Sequence, residues 1–332
     1  MSQTVFVSGA TGFIAQHVVV QLLEKNYKVV GTVRSASKGD NLKKNLNSEN
    51  FSYEIVSDLE KEGAFEAALE KHPEATVFIH TASPVVFDTK DVEKELLFPA
   101  VHGTKNVLTA IKNVAPQIKK VVITSSVAAV AGADNDKTVP VDETSWNDTT
   151  WEASKKDGHF GYYGSKTFAE KAAWDFVKDE KPNFTLSTIN PSFVFGPQAF
   201  DSEVGSQLNL SNTVISNLLS VKPGDEVPQS DGSSVDVRDV AAAHILAFEK
   251  DEAIGKRLLL TNEDFTSQTI LDAISKGVPE LKGSISVGVP GSNPPAPFYN
   301  DKKSREILGL TYIDLTTTVS ETVRQYLKHK TS

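Results

Sequence analysis

The segment "VSGATGFIA" (7–15) places Gly9, Gly12 and Ala15 at the G-x-x-G-x-x-G/A spacing, where a β-branched run gives way to a helical pattern. Glycine lets a backbone approach a ligand closely, and the open N–H groups at a helix N-terminus favour an anion. Ala15 at the last position still allows close packing of helix on strand. This order predicts the phosphate-binding turn of a dinucleotide site, and a purely structural glycine turn is the alternative.

Short β-branched runs alternate with helical patterns downstream of this turn. Ile14, Val18 and Leu22 recur at helical spacing and would seat the first helix on the sheet. Alternation of this kind predicts an α/β fold, a Rossmann-type doubly wound parallel sheet with helices on both faces. The predicted strands are "TVFVS" (4–8), "KVVGTV" (28–33), "YEIVS" (53–57), "TVFIHT" (76–81), "KKVVITS" (119–125) and "FTLSTI" (184–189).

The pattern loosens from about Pro191, where long loops rich in proline and glycine separate shorter elements. We therefore predict a dinucleotide-binding domain over residues 1–190. A return segment at about 236–262 is expected to rejoin it, because "VRDVAAAHILAFE" (237–249) has a strong helical pattern. Residues 191–235 and 263–332 are predicted to form a smaller, C-terminal, substrate-binding lobe.

Composition narrows the classes of function. The chain has 332 residues, 39% of them hydrophobic, and no cysteine, so disulfides, thiolate metal sites and a cysteine nucleophile are excluded. A net charge of -9 disfavours non-specific binding to nucleic acid or anionic lipid. The N-terminus lacks a secretory signal pattern, and the longest weakly polar run (121–133) is shorter than the about 20 residues a membrane span needs. We expect a cytoplasmic protein with no membrane segment.

The residues after the second predicted strand indicate which nucleotide binds. NAD-binding folds usually carry an acidic residue there for the ribose hydroxyls, and this chain has none. The segment "VRSASK" instead offers Arg34 and Lys38, and a guanidinium suits a 2'-phosphate that a carboxylate would repel. We predict NADPH/NADP+ as the cofactor, with two solvated surface cations as the alternative.

The pattern Tyr-x-x-x-Lys occurs three times, at Tyr162/Lys166, Tyr299/Lys303 and Tyr326/Lys330, so spacing alone identifies no site. Residues i and i+4 share a helix face, which aligns Tyr162 with Lys166 and turns Tyr163 about 100° away, toward a packing role. Only this copy follows a strand that ends in polar residues, Ser125 and Ser126. Those serines would point to opposite sides of the strand, so we expect at most one to reach a substrate, with a capping role as the alternative.

Taken together, these motifs resemble the extended short-chain dehydrogenase/reductases, in particular their dihydroflavonol-reductase-like branch. Matching segments include "VFVSGATGFIAQH", "HTASPVVFD", "VVITSSVAAV", "YYGSKTFAEKAAW" and "NPSFVFGPQAFD". The resemblance implies catalytic roles for Ser126, Tyr162 and Lys166. It also implies cofactor contacts at Gly9, Thr11, Gly12, Phe13, Ile14, Arg34, Lys38, Asp58, Leu59, Thr81, Ala82, Ser83, Tyr162, Lys166, Pro191, Val194 and Ser211.

The implied reaction is reduction of a small-molecule aldehyde or ketone, such as methylglyoxal, 3-methylbutanal or a bulkier ketone, by hydride transfer, with Tyr162 as proton donor. A lysine cation about 4 Å away would lower the pKa of that phenol from about 10 toward 7. The resemblance implies a largely apolar pocket without a cation for a carboxylate, and core packing is the alternative for its residues. The pocket residues are Val85, Phe87, Val127, Ala131 and Phe193.

Some expectations depart from the resemblance or compete with it. Many extended members carry a relay asparagine where this chain has Ala100, so we expect proton supply through water and the ribose hydroxyl. His80, His102 and His159 lack metal-ligand spacing and are predicted to be structural or exposed, although His159 could touch substrate. A sugar-nucleotide epimerase or dehydratase that retains NAD, and a non-catalytic NADP-binding redox sensor, are the competing functions. The protein is expected to be a monomer or homodimer without metal.

Overall fold

The computed structural model describes residues 3–83, 87–136, 138–205, 208–291 and 298–331. Twelve strands lie within these ranges. In chain order they are β1 (Thr4–Ser8), β2 (Lys28–Val33), β3 (Phe51–Ile55), β4 (Ala75–His80), β5 (Lys120–Thr124), β6 (Val141–Asp142), β7 (Thr185–Pro191), β8 (Phe193–Phe195), β9 (Asp231–Asp236), β10 (Arg257–Leu260), β11 (Glu263–Thr266) and β12 (Tyr299–Asn300).

Eleven α-helices lie within the same ranges, together with short 3-10 turns and one π-helical turn at Glu93–Leu97. The helices are α1 (Phe13–Glu24), α2 (Ala36–Leu46), α3 (Glu66–Glu70), α4 (Phe98–Val114), α5 (Trp151–Ser154), α6 (Gly158–Glu180), α7 (Thr213–Leu218), α8 (Val237–Glu249), α9 (Ser267–Gly277), α10 (Lys302–Leu308) and α11 (Leu315–Thr331).

The central sheet has seven strands in the order β10-β7-β5-β4-β1-β2-β3, and neighbouring strands run parallel throughout. The chain winds outward from β1 in one direction and then crosses to β4 to wind in the other. In such a sheet the strand order reverses between β1 and β4, which leaves a crevice at their carboxyl ends. The predicted α/β, Rossmann-type fold is confirmed.

Both faces of the sheet are buried, as continuous β-branched strands require. On β1, Val5 and Val7 pack into one core with α1, α2 and α8, while Phe6 between them packs into a second core with α3, α4 and α6. Alternate side chains of one strand therefore serve opposite layers, with helices covering each.

The six predicted strands all occur, with small shifts of their ends. The largest shift is at β3, which was predicted at 53–57 and spans Phe51–Ile55. Ile55 pairs with Val33, the last residue of β2. Strand β3 ends there because β2 offers no further residue to pair with. The seventh strand, β10, was not predicted as a strand; it lies within the predicted return segment and pairs with β7.

A third core lies beside the sheet and is built from later parts of the chain. A three-stranded sheet in the order β11-β9-β8 packs with α7, α9 and α11 around Phe195, Phe265, Ile270, Ile274 and Val319. Strand β8 follows β7 after one residue, so the two sheets are directly connected at Ser192. The small lobe is thereby brought against the carboxyl ends of the central strands, where a substrate lobe would be needed.

Candidate active site

The turn between β1 and α1 has the shape of a phosphate cradle. Gly9 has φ +67°, a conformation that side chains disfavour, and a Cβ there would meet Ala82 at 3.0 Å. Gly12 donates its N–H to the Gly9 carbonyl at 2.9 Å and caps α1 without a side-chain hydrogen bond to the first turn. The space a side chain would fill, and the helix N-terminus beside it, suit a pyrophosphate.

A cleft of about 270 Å³ opens from this turn along the carboxyl ends of the strands. Its walls include nine of the predicted cofactor residues: Gly9, Thr11, Gly12, Arg34, Lys38, Leu59, Thr81, Ala82 and Ser83. They also include five residues that sequence reasoning missed: Thr32, Val33, Val56, Ser57 and Phe65. Four of these five stand at the ends of β2 and β3 or directly after, so the strand-end rule would have found them. Phe65 lies at the cleft because of how the chain packs in three dimensions, and no motif in the sequence indicated this.

Charge at the cleft favours a phosphorylated ribose. Arg34 and Lys38 are exposed on its wall, and neither forms an ion pair with any residue in the described ranges. No carboxylate lines the cleft within those ranges. Asp58, predicted near adenine, does not line it; its side chain instead accepts a hydrogen bond from the Glu60 N–H in a local turn. The cleft therefore fits the 2'-phosphate of NADPH better than the free hydroxyl of NADH.

The loop after β4 is held by a buried polar pair, Ser8 and His80. Ser8 Oγ accepts from the N–H groups of Thr81 (3.1 Å) and Ala82 (3.3 Å), so its own proton must be donated to His80 Nδ1, 2.7 Å away. Burial lowers the pKa of His80 to about 4, which keeps the ring neutral and able to accept. His80 thus holds the loop that forms one wall of the cleft.

Tyr162 and Lys166 lie on one face of α6, whose N-terminus is capped by Asp157. The Tyr162 hydroxyl donates to Ser126 Oγ at 3.3 Å, and Lys166 Nζ donates to Ser83 Oγ at 3.1 Å. Since Ser83 lines the cleft, Lys166 links the tyrosine to the cofactor wall. The three predicted catalytic residues and the predicted cofactor cleft are therefore contiguous.

Ser126 has the capping role that the sequence offered as the alternative, and it also contacts Tyr162, while its catalytic role stays a prediction. Its Oγ accepts from the Ala128 N–H at 3.1 Å, as the cap of a 3-10 turn at Val127–Ala129, and also accepts from Tyr162. Ser125 points the other way, and its hydroxyl donates to buried Glu170. The opposite orientation of the two serines is as the strand geometry predicts.

The expected pKa of Tyr162 requires correction. Burial raises the pKa of its phenol above 10, and the hydrogen bond with Ser126 opposes that rise only in part. Lys166 Nζ lies 5.8 Å from the Tyr162 ring centroid, and burial lowers the pKa of Lys166 to about 8. Both groups are buried, so the loss of hydration outweighs the lysine's attraction for a phenolate in this state.

The other two copies of the motif lack these partners. Tyr299 belongs to β12 while Lys303 belongs to α10, so they do not share a helix. Tyr326 and Lys330 do share α11, and the Lys330 Nζ lies 4.6 Å from the ring centroid, but the tyrosine packs against Val204 and Leu208 in a small apolar cluster. Tyr163 is half-buried and its ring lies 5.1 Å from that of His159.

The remaining predicted cofactor residues do not line the cleft. Phe13 and Ile14 open α1 and are partly buried against the first core. Pro191 ends β7, and Val194 is buried in β8. Ser211 precedes Asn212, whose side chain bonds to both backbone groups of Gly196. Between Pro191 and Val194, the buried Ser192 Oγ has no hydrogen-bond partner within the described ranges, and sequence reasoning missed it.

The residues predicted to line the substrate pocket differ in how exposed their side chains are. The Phe87 ring lies 5.4 Å from the Tyr162 ring and is 40% exposed. Phe193 is 41% exposed and packs edge-on against Phe265, while Val127 is half-buried. Ala131 is only 1% exposed, so its side chain offers almost no surface to a substrate. Val85 lies outside the described residues.

The described ranges also bear on metal sites, membrane helices and further polar groups of the site. No group of His, Asp and Glu side chains there is arranged to hold a metal ion, and no helix there has the length and apolar character of a membrane span. Ala100 is buried near the start of α4, where its carbonyl accepts from Thr104 Oγ1. It offers no side-chain donor in place of the relay asparagine. His102 and His159 are exposed.

The chain is similar in sequence and in fold to known proteins, among them NADPH-dependent reductases. The model of the NAD-dependent epimerase/dehydratase family matches residues 5–260. The chain is 54% identical over 337 residues to a putative NADPH-dependent methylglyoxal reductase of Candida albicans, covering 98% of this chain and 99% of the relative. The crystal structure of yeast methylglyoxal/isovaleraldehyde reductase complexed with NADPH matches with a TM-score of 0.95 at 44% identity over 99% of each chain. An NADPH complex from Candida albicans matches at 0.94 and 52% identity, over 98% of this chain and 99% of that chain.

Proposed function

The chain belongs to the NAD-dependent epimerase/dehydratase family, and we propose that it is an NADPH-dependent carbonyl reductase that converts aldehydes and ketones to alcohols. The observation that carries this proposal is the hydrogen bond from Tyr162 to Ser126, at the end of a cleft lined by Arg34 and Lys38. A proton donor, a second hydrogen-bonding group and a nucleotide cradle are the parts that a carbonyl reduction needs. The relatives named for NADPH-dependent reduction support the same conclusion.

Bound NADPH would supply a hydride to the carbonyl carbon. The chain's own residues then manage the charge on the oxygen. Ser126 Oγ hydrogen-bonds the carbonyl oxygen as negative charge develops on it, and the Tyr162 phenol gives that oxygen its proton. Burial raises the pKa of Tyr162, so the phenol holds its proton at neutral pH.

Lys166 stabilises the phenolate that remains. With a pKa of about 8, its ammonium group is charged at neutral pH and favours the anionic form of a neighbouring phenol. Its hydrogen bond to Ser83 holds the ammonium at the cofactor wall, beside the predicted ribose position. Ala100 offers no relay side chain, so return of the proton to Tyr162 would depend on water and on the ribose hydroxyl that a bound cofactor would supply beside Lys166.

The nucleotide would bind along the β1–β4 crevice. Gly9, Thr11, Gly12, Phe13 and Ile14 would hold the pyrophosphate, and Arg34 with Lys38 would hold the 2'-phosphate. Leu59 would lie toward the adenine, and Thr81 to Ser83 toward the ribose. Asp58 does not line the cleft, and its place near the adenine stays a prediction from the sequence. Pro191 and Val194 would lie against the nicotinamide, and Ser211 is a further proposed cofactor contact. The nucleotide domain (residues 1–190 and 236–262) and the smaller substrate lobe stay predictions from the sequence.

The substrate is proposed to be a neutral aldehyde or ketone. Phe87, whose ring lies 5.4 Å from that of Tyr162, and the other predicted pocket residues Val127 and Phe193 offer apolar or aromatic surface, and none of them can attract a carboxylate. Methylglyoxal and 3-methylbutanal (isovaleraldehyde) are the first candidates, since the yeast relative is named for both. The cytoplasmic location and the monomeric or homodimeric state stay predictions from the sequence.

The test is NADPH oxidation, followed at its absorbance band, with a panel of aldehydes and ketones and with chiral analysis of the alcohols formed. We expect turnover with neutral carbonyl compounds and preference for NADPH over NADH. Purified protein that retains NAD and interconverts sugar nucleotides would establish an epimerase instead. NADPH binding without turnover of any carbonyl compound would leave the redox-sensor function.

A further inference from the structure

A buried carboxylate, that of Glu170, lies behind the serine of the site. Glu170 is 1% exposed and follows Lys166 by four residues on α6, so Tyr162, Lys166 and Glu170 occupy one stripe of the helix. The spacing Tyr-x-x-x-Lys-x-x-x-Glu is visible in the sequence, but nothing in a single sequence indicates what the glutamate contacts. The reaction proposed for this site does not use it.

Five side chains donate to this carboxylate. Oε2 accepts from Asn190 Nδ2 at 2.6 Å and from the Ser125 hydroxyl. Oε1 accepts from Arg257 Nε at 2.6 Å and from Trp174 and Thr188, each at 3.2 Å. A buried carboxylate tolerates the loss of water only when its oxygens are hydrogen-bonded and its charge is paired, and both conditions hold here.

Two of the donors also hold the backbone that carries Ser126. Asn190 Nδ2 donates to the Ser126 carbonyl at 3.1 Å, and Arg257 Nη2 donates to the Ala129 carbonyl at 3.2 Å. Glu170 therefore orients the groups that hold both ends of the 126–129 segment. That segment follows β5 and contains the hydroxyl that contacts Tyr162.

We propose that Glu170 is a positioning residue, which fixes Ser126 against Tyr162 through Asn190 and Arg257. The inference rests on the proposed reductase function. The same helix carries the proton donor and the carboxylate that orients Asn190 and Arg257. The separation of Tyr162 and Ser126 therefore depends on how α6 is joined to β7 and β10 through Glu170. Displacement by about 1 Å is costly at such a site, because the stabilising donor must meet the charge as it develops.

A glutamine at this position is nearly isosteric but presents an N–H₂ group to one set of donors, so either Asn190 or Arg257 loses its acceptor. We expect Glu170→Gln to lower kcat about tenfold, with the KM for NADPH within about twofold of the wild type. A double-mutant cycle with Ser126→Ala separates positioning from general damage. If Glu170 acts through Ser126, adding Glu170→Gln to the Ser126→Ala variant should lower kcat by less than about twofold.

Asp236→Asn provides the matched control. Asp236 is also a buried carboxylate that pairs with an arginine, Arg238, and accepts from a hydroxyl, that of Thr318, but it holds no part of the 126–129 segment. We expect that variant to lower thermal stability and leave kcat unchanged. Should Glu170→Gln fail to fold, Asn190→Ala enters the same cycle, since it removes the donor to Ser126 while Glu170 keeps Arg257.

Equal fold-losses of kcat in the wild-type and Ser126→Ala backgrounds would overturn the positioning role, as would an unchanged kcat in Glu170→Gln. A wild-type protein that reduces no carbonyl compound defeats the proposed function instead. The two failures are thus distinguished by the wild-type assay.

Discussion

Two Tyr-x-x-x-Lys pairs lie within helices of this protein, Tyr162/Lys166 in α6 and Tyr326/Lys330 in α11, and their surroundings differ. The lysine nitrogen is nearer the ring centroid in α11, at 4.6 Å, than in α6, at 5.8 Å. Contact within the pair therefore does not define a site. The α6 pair meets Ser126 and Ser83, which come from the ends of other strands, whereas Tyr326 packs in an apolar cluster. Residues of one type acquire chemistry from neighbours that are distant in sequence.

The sharpest way to break this comparison is to remove one hydroxyl from each pair. Tyr162→Phe should lower kcat by about 10³-fold, because the alkoxide loses its proton donor. Tyr326→Phe should change kcat by less than about twofold. NADPH oxidation at saturating aldehyde measures both. Full activity in Tyr162→Phe would refute the proposed mechanism.

Removing the lysines tests whether charge distinguishes the two pairs. Lys166→Met should lower kcat/KM about 10²-fold, and Lys330→Met should leave it unchanged. The pKa of Lys166 is lowered to about 8 by burial, so its ammonium is lost as pH rises through 8. The wild-type kcat/KM for NADPH, which reports on the free enzyme, should fall above that pH. A pH profile of Lys166→Met that keeps this fall would assign it to another group.

The same contrast applies to cations around α2. Arg34 lies on the wall of the cleft, whereas Lys44 is exposed in the last turn of α2 and does not line the cleft. Arg34→Ala should lower the ratio of kcat/KM for NADPH over NADH about 30-fold, as loss of a charge-assisted hydrogen bond predicts. Lys44→Ala should leave that ratio unchanged. An unaltered ratio in Arg34→Ala would contradict the 2'-phosphate assignment.

The histidines give the smallest effect. Burial lowers the pKa values of His80 and His244 to about 4, from 6.5 in an unfolded chain. The unfolded chain therefore binds protons first as pH falls, and the free energy of unfolding decreases from pH 6.5 toward 4. Between pH 6.5 and 5.5 each buried histidine should account for about 1 kcal/mol of that decrease.

Urea unfolding of two variants at both pH values checks this contribution. His244→Gln should make the decrease smaller by about 1 kcal/mol, and the exposed His102→Gln should leave it unchanged. Equal decreases in the wild type and His244→Gln would show that His244 is not the group that titrates.

The nucleotide-binding half was accessible to sequence reasoning because its signals are local. Glycine spacing, strand ends and the missing acid after β2 lie within about 35 residues of the N-terminus, and the backbone there follows directly from them. Val33 and Ser57 could have been predicted by the same rule. Phe65 could not, because it reaches the cleft through packing of the segment before α3.

The second half of the site was less accessible. Ser192 stands between two predicted nicotinamide contacts, yet only the structure leaves its hydroxyl buried and without a partner among the described residues. Glu170 lies in the segment "YYGSKTFAEKAAW" with Tyr162 and Lys166. The side chains that link it to Ser126 belong to Asn190 and Arg257, which follow it by 20 and 87 residues. The prediction that the pKa of Tyr162 is lowered was wrong, because it considered the nearby lysine and left out the burial that raises this pKa.

The sequence alone determined the fold class, the cofactor turn, the cation pair and the helical phase that aligns Tyr162 with Lys166. Each depends on residues within one or two elements, where backbone periodicity fixes their relative positions. Tertiary structure decided which of the two helical Tyr-Lys pairs has partners, how both hydroxyls of Ser125 and Ser126 are used, and in which direction the pKa of Tyr162 moves. Those outcomes depend on desolvation and on contacts between distant strand ends, and a linear pattern carries neither.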